Sequence, residues 1–220
     1  MLETLASISK YILISIAITG FFVGIKYKDR HKELSHLHFY TLASATQSIT
    51  YMIFTFLLPA KKAIPINLSI HVFIIIEVSC IFLFFYKTAI LTKNVKKYLL
   101  FLYSVSMFSY IFSSINSNFL MKNVIGIYYI ESLIILTPCF IYLFQLFLKP
   151  PILNLLEEPS FWFNSGILIY FILTFPLFFM IDYFVKSSIS SLLDIVNYSG
   201  YSLIFSFLIR AYLCKPKTAI

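Results

Sequence analysis

Seven apolar runs occupy almost the whole chain, at 5–25, 37–58, 66–86, 98–115, 124–148, 161–181 and 192–213. Each is about as long as the 17 to 25 residues a helix needs to cross a hydrocarbon core of roughly 30 Å. In hydrocarbon the backbone must satisfy its own N–H and C=O groups, so only helices and closed barrels can span. Barrel strands are short, about 9–11 residues, and alternate in polarity, whereas these runs are long and continuous. The expected fold is all-α: a polytopic membrane protein, a seven-transmembrane-helix bundle in which residues 1–220 form a single integral membrane domain. Composition leaves little room for anything else. The chain is 60% hydrophobic and 12% charged, where soluble domains carry roughly 45–50% and 25%. The first run has no basic leader and no small-residue cleavage site, which reads as a mature helix and not a signal peptide.

The stretches between the runs are short and polar or helix-breaking, so sequential helices are expected to be antiparallel neighbours. Twelve of the 17 Lys and Arg residues then fall on one side: 26, 28, 30, 32, 87, 93, 96, 97, 149, 210, 215 and 217. The other side holds Lys10, Lys61, Lys62, Lys122 and Lys186. The positive-inside rule gives an outside N-terminus and a cytoplasmic C-terminus for a multi-pass chain in a cell's inner (cytoplasmic) membrane. The net charge of +8 follows from that arrangement. The basic loops are too short to fold into a nucleic-acid-binding domain, and no nucleic-acid partner is expected.

Against this background the intramembrane carboxylates stand out. Glu77 lies near the middle of the third run and Glu131 inside the fifth. An ionised carboxylate at a helix centre costs about 2.5–3.5 kcal/mol even on lenient insertion scales, so such groups persist when paired, protonated or watered. Polar residues recur at helical spacing around them. Ser44, Gln47, Ser48, Tyr51 and Thr55 share one face; so do Tyr103, Ser106, Tyr110, Ser113 and Ser117. Glu131, Pro138, Tyr142 and Gln145 form a third stripe, with Tyr128 one turn above Glu131, and Asp194, Asn197, Tyr198 and Tyr201 a fourth. The expectation is that Glu77, Glu131 and Asp194 line one outward-facing cavity with Gln47, Tyr51, Tyr128 and Asn197, where a small ligand or a proton binds, and that no Lys or Arg lies at matching depth. Hydroxyl stripes also glue helices together in bundles that bind nothing.

No G-x-S-x-G, H-E-x-x-H, P-loop or dinucleotide fingerprint is present, and the last run has no lysine for a retinal Schiff base. Nothing specifies a reaction, so the chain is read as non-enzymatic, and no cofactor or metal is expected. Cys80, Cys139 and Cys214 read as buried small hydrophobes. His31, His36 and His38 read as a solvated interfacial cluster.

The stretch from Glu157 to Tyr170 is the most distinctive. Pro159 is placed to open a helix, Trp162 to anchor at headgroup level, and Gly166 to allow close helix contact. This P-x-F-W-x-N-x-G-x-L-I-Y pattern, within a small all-membrane chain, resembles a family of uncharacterised seven-helix integral membrane proteins of Bacteroidetes-type bacteria, often associated with sensor histidine kinases. The resemblance implies a sensory or partner-coupled membrane module whose cytoplasmic partner is a signalling protein such as a histidine kinase. Lys93, Lys96 and Lys97 are the expected docking residues, and the bundle is expected to be a monomer or homodimer in the lipid bilayer. A small proton-coupled transporter and a non-catalytic assembly subunit are the alternatives.

Overall fold

The computed structural model describes residues 2–57, 63–88, 90–115, 124–148, 155–179 and 190–215. Among them are seven α-helices: α1 (Leu2–Tyr27), α2 (Leu37–Leu57), α3 (Ala63–Lys87), α4 (Lys93–Ile115), α5 (Val124–Leu148), α6 (Pro159–Phe179) and α7 (Ser190–Tyr212). A 3-10 turn, Leu155–Glu157, precedes α6. Five of the helices, α1, α3, α5, α6 and α7, are long and apolar enough to cross a membrane. The other two are α2, which carries the hydroxyl stripe that begins at Ser44, and α4, whose first turns hold Lys93, Lys96 and Lys97. Many of these segments are rich in β-branched and aromatic residues, which are mediocre helix formers in water. Hydrocarbon removes the competitor, because any residue leaving the helix strands its own backbone polar groups.

Most helix ends fall within three residues of the expected bounds, and the start of α4 falls five residues earlier. Lys93, Lys96 and Lys97 were assigned to a connecting loop but form the first turns of α4. The helix is nucleated there by Thr92, whose carbonyl accepts from Lys96 N at 3.0 Å and whose hydroxyl lies 3.5 Å from Val95 N. The α6 start falls at Pro159 as the sequence indicated.

Helix contacts run α1–α2–α3–α5–α6–α7 and back to α1, a closed circuit of six, with α4 outside it against α3 and α5. α1 and α7 lie parallel, since Lys10 meets Tyr198, Gly20 faces Ile209 and Gly24 faces Tyr212 along their lengths. The close approach depends on glycine: a Cβ at Gly24 would lie 2.7 Å from His38 Cβ on α2. On α6, Gly166 does the same against α7, where a Cβ would meet Phe207 Cβ at 3.0 Å.

The surface and interior are inverted relative to a soluble domain. Large aromatic side chains such as Phe22, Phe101, Phe108, Phe144 and Phe147 point outward, while Glu77, Glu131, Thr41, Ser44, Asn164 and Thr174 are buried. Water penalises that distribution and lipid rewards it.

At the basic end of the bundle, residues 28–36 fold inward. Leu34 is fully buried, and Tyr212 donates to its carbonyl at 2.9 Å. His31 Nε2 lies 3.2 Å from the Cys214 carbonyl. His36 Nε2 is 2.9 Å from the Cys80 carbonyl, and its Nδ1 is 3.4 Å from Lys87 Nζ. The ammonium can only donate, so Nδ1 accepts and Nε2–H donates. Burial pushes the His36 imidazole down to about 4; the Cys80 carbonyl opposes this and Lys87 reinforces it. The expected solvated histidine cluster is therefore corrected: His31 and His36 each hold a separate backbone carbonyl of the packed bundle, and His38 is buried in the first turn of α2. Polar groups drawn inside a closed bundle end must find partners there, and backbone carbonyls supply them.

Candidate functional site

Glu77 is fully buried at the meeting point of α2, α3, α5 and α7. The Tyr40 hydroxyl of α2 donates to its Oε1 at 2.6 Å, and the Tyr201 hydroxyl of α7 donates to its Oε2 at 2.9 Å. Tyr40 packs edge-on to Phe205, and Tyr201 lies 4.6 Å, centroid to centroid, from Tyr170 of α6. The Tyr170 hydroxyl in turn donates to Asn197 Oδ1 at 2.7 Å. Tyr170 and Tyr201 are each the twelfth residue of their helices, of 21 and 23 residues, so this network sits at mid-depth of the bundle.

Glu131 of α5 is 3% exposed, and its carboxyl lies against that of Glu77, close enough to interact. The two carboxyls are within hydrogen-bonding reach of each other, and among the described residues no other group partners either Glu131 oxygen. Among the described residues, no Lys, Arg or His side chain reaches either carboxyl. The sequence-derived pairing of Glu77 with Glu131 is thus a real juxtaposition. On its other side Glu131 lines a cavity of about 20 Å³ between α3, α4 and α5, together with Ser106 and Tyr110. Tyr110 is hydrogen-bonded to His71 Nδ1.

Asp194 belongs elsewhere. It lines a pocket of about 370 Å³ between α1, α2 and α7, with Lys10, Tyr51 and Tyr198. Lys10 is its electrostatic neighbour, and the Lys10 ammonium sits 3.7 Å from the centroid of the Tyr51 ring, a cation–π arrangement. Two expectations change here. The three acidic residues do not share one cavity, and a lysine does lie at the depth of Asp194. The helical wheel of α7 placed Asp194 and Tyr201 on one broad face, but that face meets α1 at one level and α3 at another.

Asn197 joins the central network through Tyr170, whereas Tyr51 joins the Lys10 pocket. Gln47 lines a groove between α2 and α3 of about 720 Å³, with Phe39, Leu42, Phe54 and Leu68. The Tyr128 side chain lies outside the described residues. Lys93 and Lys97 are exposed at the start of α4, and Lys96 Nζ is 5.8 Å from the Tyr86 ring centroid. Among the described residues no group of three His, Cys, Asp or Glu is arranged to hold a metal, and Cys80, Cys139 and Cys214 are free and buried.

Sequence reasoning passed over Tyr40, Lys10 and His71. Tyr40 was within reach: it precedes Ser44 by four residues and Ser48 by eight, and all three are buried on one face of α2. Compared with protein-family models, curated proteins and solved structures, the chain finds no match in any of the three. Function rests on the chemistry of the site.

Proposed function

We propose that this is a seven-span inner-membrane protein, N-terminus outside and C-terminus cytoplasmic, that senses protonation at the Glu77–Glu131 pair and signals to a cytoplasmic partner. The observation that carries this reading is a pair of buried carboxyls in contact at the junction of four helices, without a neighbouring cation among the described residues. Two carboxylates cannot both ionise there at acceptable cost. The pair therefore holds at least one proton, and on this reading just one at rest. Both donors point at Glu77, so the charge sits on Glu77 and the proton on Glu131.

Arrival of a second proton neutralises Glu77 and weakens its hold on Tyr40 and Tyr201, which tie α2 and α7 to α3. The change reaches the basic end through α7, where Phe207 and Arg210 pack on Trp162. α4 offers a second route. It lies outside the ring, touches the Glu131 cavity through Ser106 and Tyr110, and begins with Lys93, Lys96 and Lys97. Those lysines suit an acidic docking surface on the partner.

Trp162 is the sole tryptophan and serves as the reporter. In lipid nanodiscs its emission should undergo an acid transition. Glu77→Gln should display the acid-state emission already at neutral pH, because the amide imitates a protonated carboxyl. A transition that survives intact in the Glu77→Gln/Glu131→Gln double variant would show the reading to be wrong. The second reading is a proton-coupled transporter, favoured by the Tyr201–Tyr170–Asn197 chain that continues from Glu77 along α6 and α7. Proton uptake by the protein alone in liposomes, lost in Glu77→Gln, would select it.

A further inference from the structure

We infer that the cavity between α3, α4 and α5 is a water site that couples Glu131 to Tyr110 and His71, and that these two residues relay protons to the carboxyl pair. The inference rests on the reading of that pair given above and adds the route by which a proton arrives.

Three observations converge. The cavity, about 20 Å³, exceeds the roughly 10–15 Å³ that one water needs. Its lining is largely apolar, and Glu131, Tyr110 and Ser106 are the lining residues that carry polar side chains, within the two to four partners a buried water takes. Glu131 is almost wholly buried, and among the described residues neither of its oxygens has a partner other than the Glu77 carboxyl. A water in this cavity supplies a further donor and acceptor. Beyond it, the Tyr110 hydroxyl is hydrogen-bonded to His71 Nδ1.

The groups facing Glu131 are Glu77 from α3, Tyr110 from α4, Tyr40 from α2 and Tyr201 from α7. Among the described residues, Tyr110 leads away from the centre to an imidazole, whereas Tyr201 stands beside another phenol, Tyr170. The transfer balances as a relay. Protonated His71 gives its Nδ1 proton to the Tyr110 oxygen while Tyr110 gives its own to the water. The water passes one of its protons to Glu131, and Glu131 hands its original proton to the Glu77 carboxylate. His71 ends neutral, Tyr110 and the water are regenerated, and the pair has gained one proton.

The test is infrared spectroscopy of the protein in nanodiscs after transfer from H₂O to D₂O, following the protonated-carboxyl C=O band that is absent in Glu131→Gln. Tyr110→Phe should slow its exchange by about a hundredfold, the lower end of what a positioned proton-transfer group contributes. Ser106→Val, which puts methyl groups into the water site, should also slow it and shift the band. His71→Gln keeps a hydrogen-bonding group beside Tyr110 but carries no proton at these pH values, and should slow exchange without moving the band. Exchange at the wild-type rate in Tyr110→Phe, or a Ser106→Val protein unchanged in both rate and band, overturns the relay. The Trp162 acid transition should persist at equilibrium in all three variants. Absence of the band from the wild-type protein would instead count against the shared proton itself.

Discussion

Two phenols at Glu77 occupy the positions that a lysine or arginine takes in most buried ion pairs, and the difference is chemical. A cation would hold the carboxylate ionised at all ordinary pH, whereas phenol donors stabilise the charge and still let it be neutralised. The worth of each donor therefore depends on the state of Glu77. A hydrogen bond to an ionised group contributes about 1.5–3 kcal/mol, and a neutral interhelical bond in a membrane protein about 0.6. Tyr40→Phe and Tyr201→Phe should each cost about 1.5–3 kcal/mol near neutral pH. The stabilisation exists while Glu77 is charged and is lost as acid neutralises it, so the gap between variant and wild type should narrow as pH falls. Unfolding by denaturant in mixed micelles, repeated across pH, measures this. A gap that stays constant with pH would mean that Glu77 does not change charge in that range.

Among the elements, α1 read from its sequence as the plainest helix, yet it carries Gly20, Gly24 and Lys10 into contacts that fix α2 and α7. Gly20 and Gly24 offer an internally controlled comparison. Either glycine replaced by alanine gains the same helix propensity, about 1 kcal/mol. A Cβ at Gly20 meets the Thr41 methyl at 3.2 Å, whereas at Gly24 it would lie 2.7 Å from His38 Cβ and 3.1 Å from the Tyr212 hydroxyl. The methyl can turn away, but a Cβ moves only with its backbone. Gly20→Ala should be close to neutral, and Gly24→Ala should be less stable than Gly20→Ala by about 1–3 kcal/mol, the range for overpacking; thermal unfolding of the two proteins side by side reads the difference. The same contrast marks how far the sequence could be read. The helices were legible because hydrocarbon permits little else, and the buried faces of α2 and α5 were legible because Ser44, Ser48, Glu131, Pro138 and Tyr142 keep helical register. A register says which residues share a face, however, and not what stands opposite. The meeting of Glu77 with Glu131 could be anticipated from depth and chemistry, whereas the separation of Asp194 could not, because Lys10 reaches it from a helix 184 residues away in the chain. The inward fold of residues 28–36 was hidden for a similar reason: its anchors, Cys80, Ser160, Tyr212 and Cys214, are all distant in sequence.

For the whole molecule, the proposed direction of signalling depends on which end faces the cytoplasm. The basic end is built from the folded-in 28–36 segment, the start of α4 and the end of α7, and it gathers most of the twelve positive charges counted above. Positive charge near the ends of spans resists translocation, so this end should remain inside. Native cysteines do not complicate the test, because Cys80, Cys139 and Cys214 are all at most 8% exposed. Single substitutions can therefore be made in the otherwise native chain. In intact cells, Lys61→Cys and Lys122→Cys should react with a membrane-impermeant maleimide, while Lys93→Cys should react only after the cells are opened. Lys93 is the informative position because it is exposed and stands on α4, the helix that joins the Glu131 cavity to the proposed docking surface. Labelling of Lys93→Cys from outside would invert the molecule, placing the lysines where no cytoplasmic protein can reach them. The partner-coupled reading would then fail, while the protonatable pair at the centre would remain.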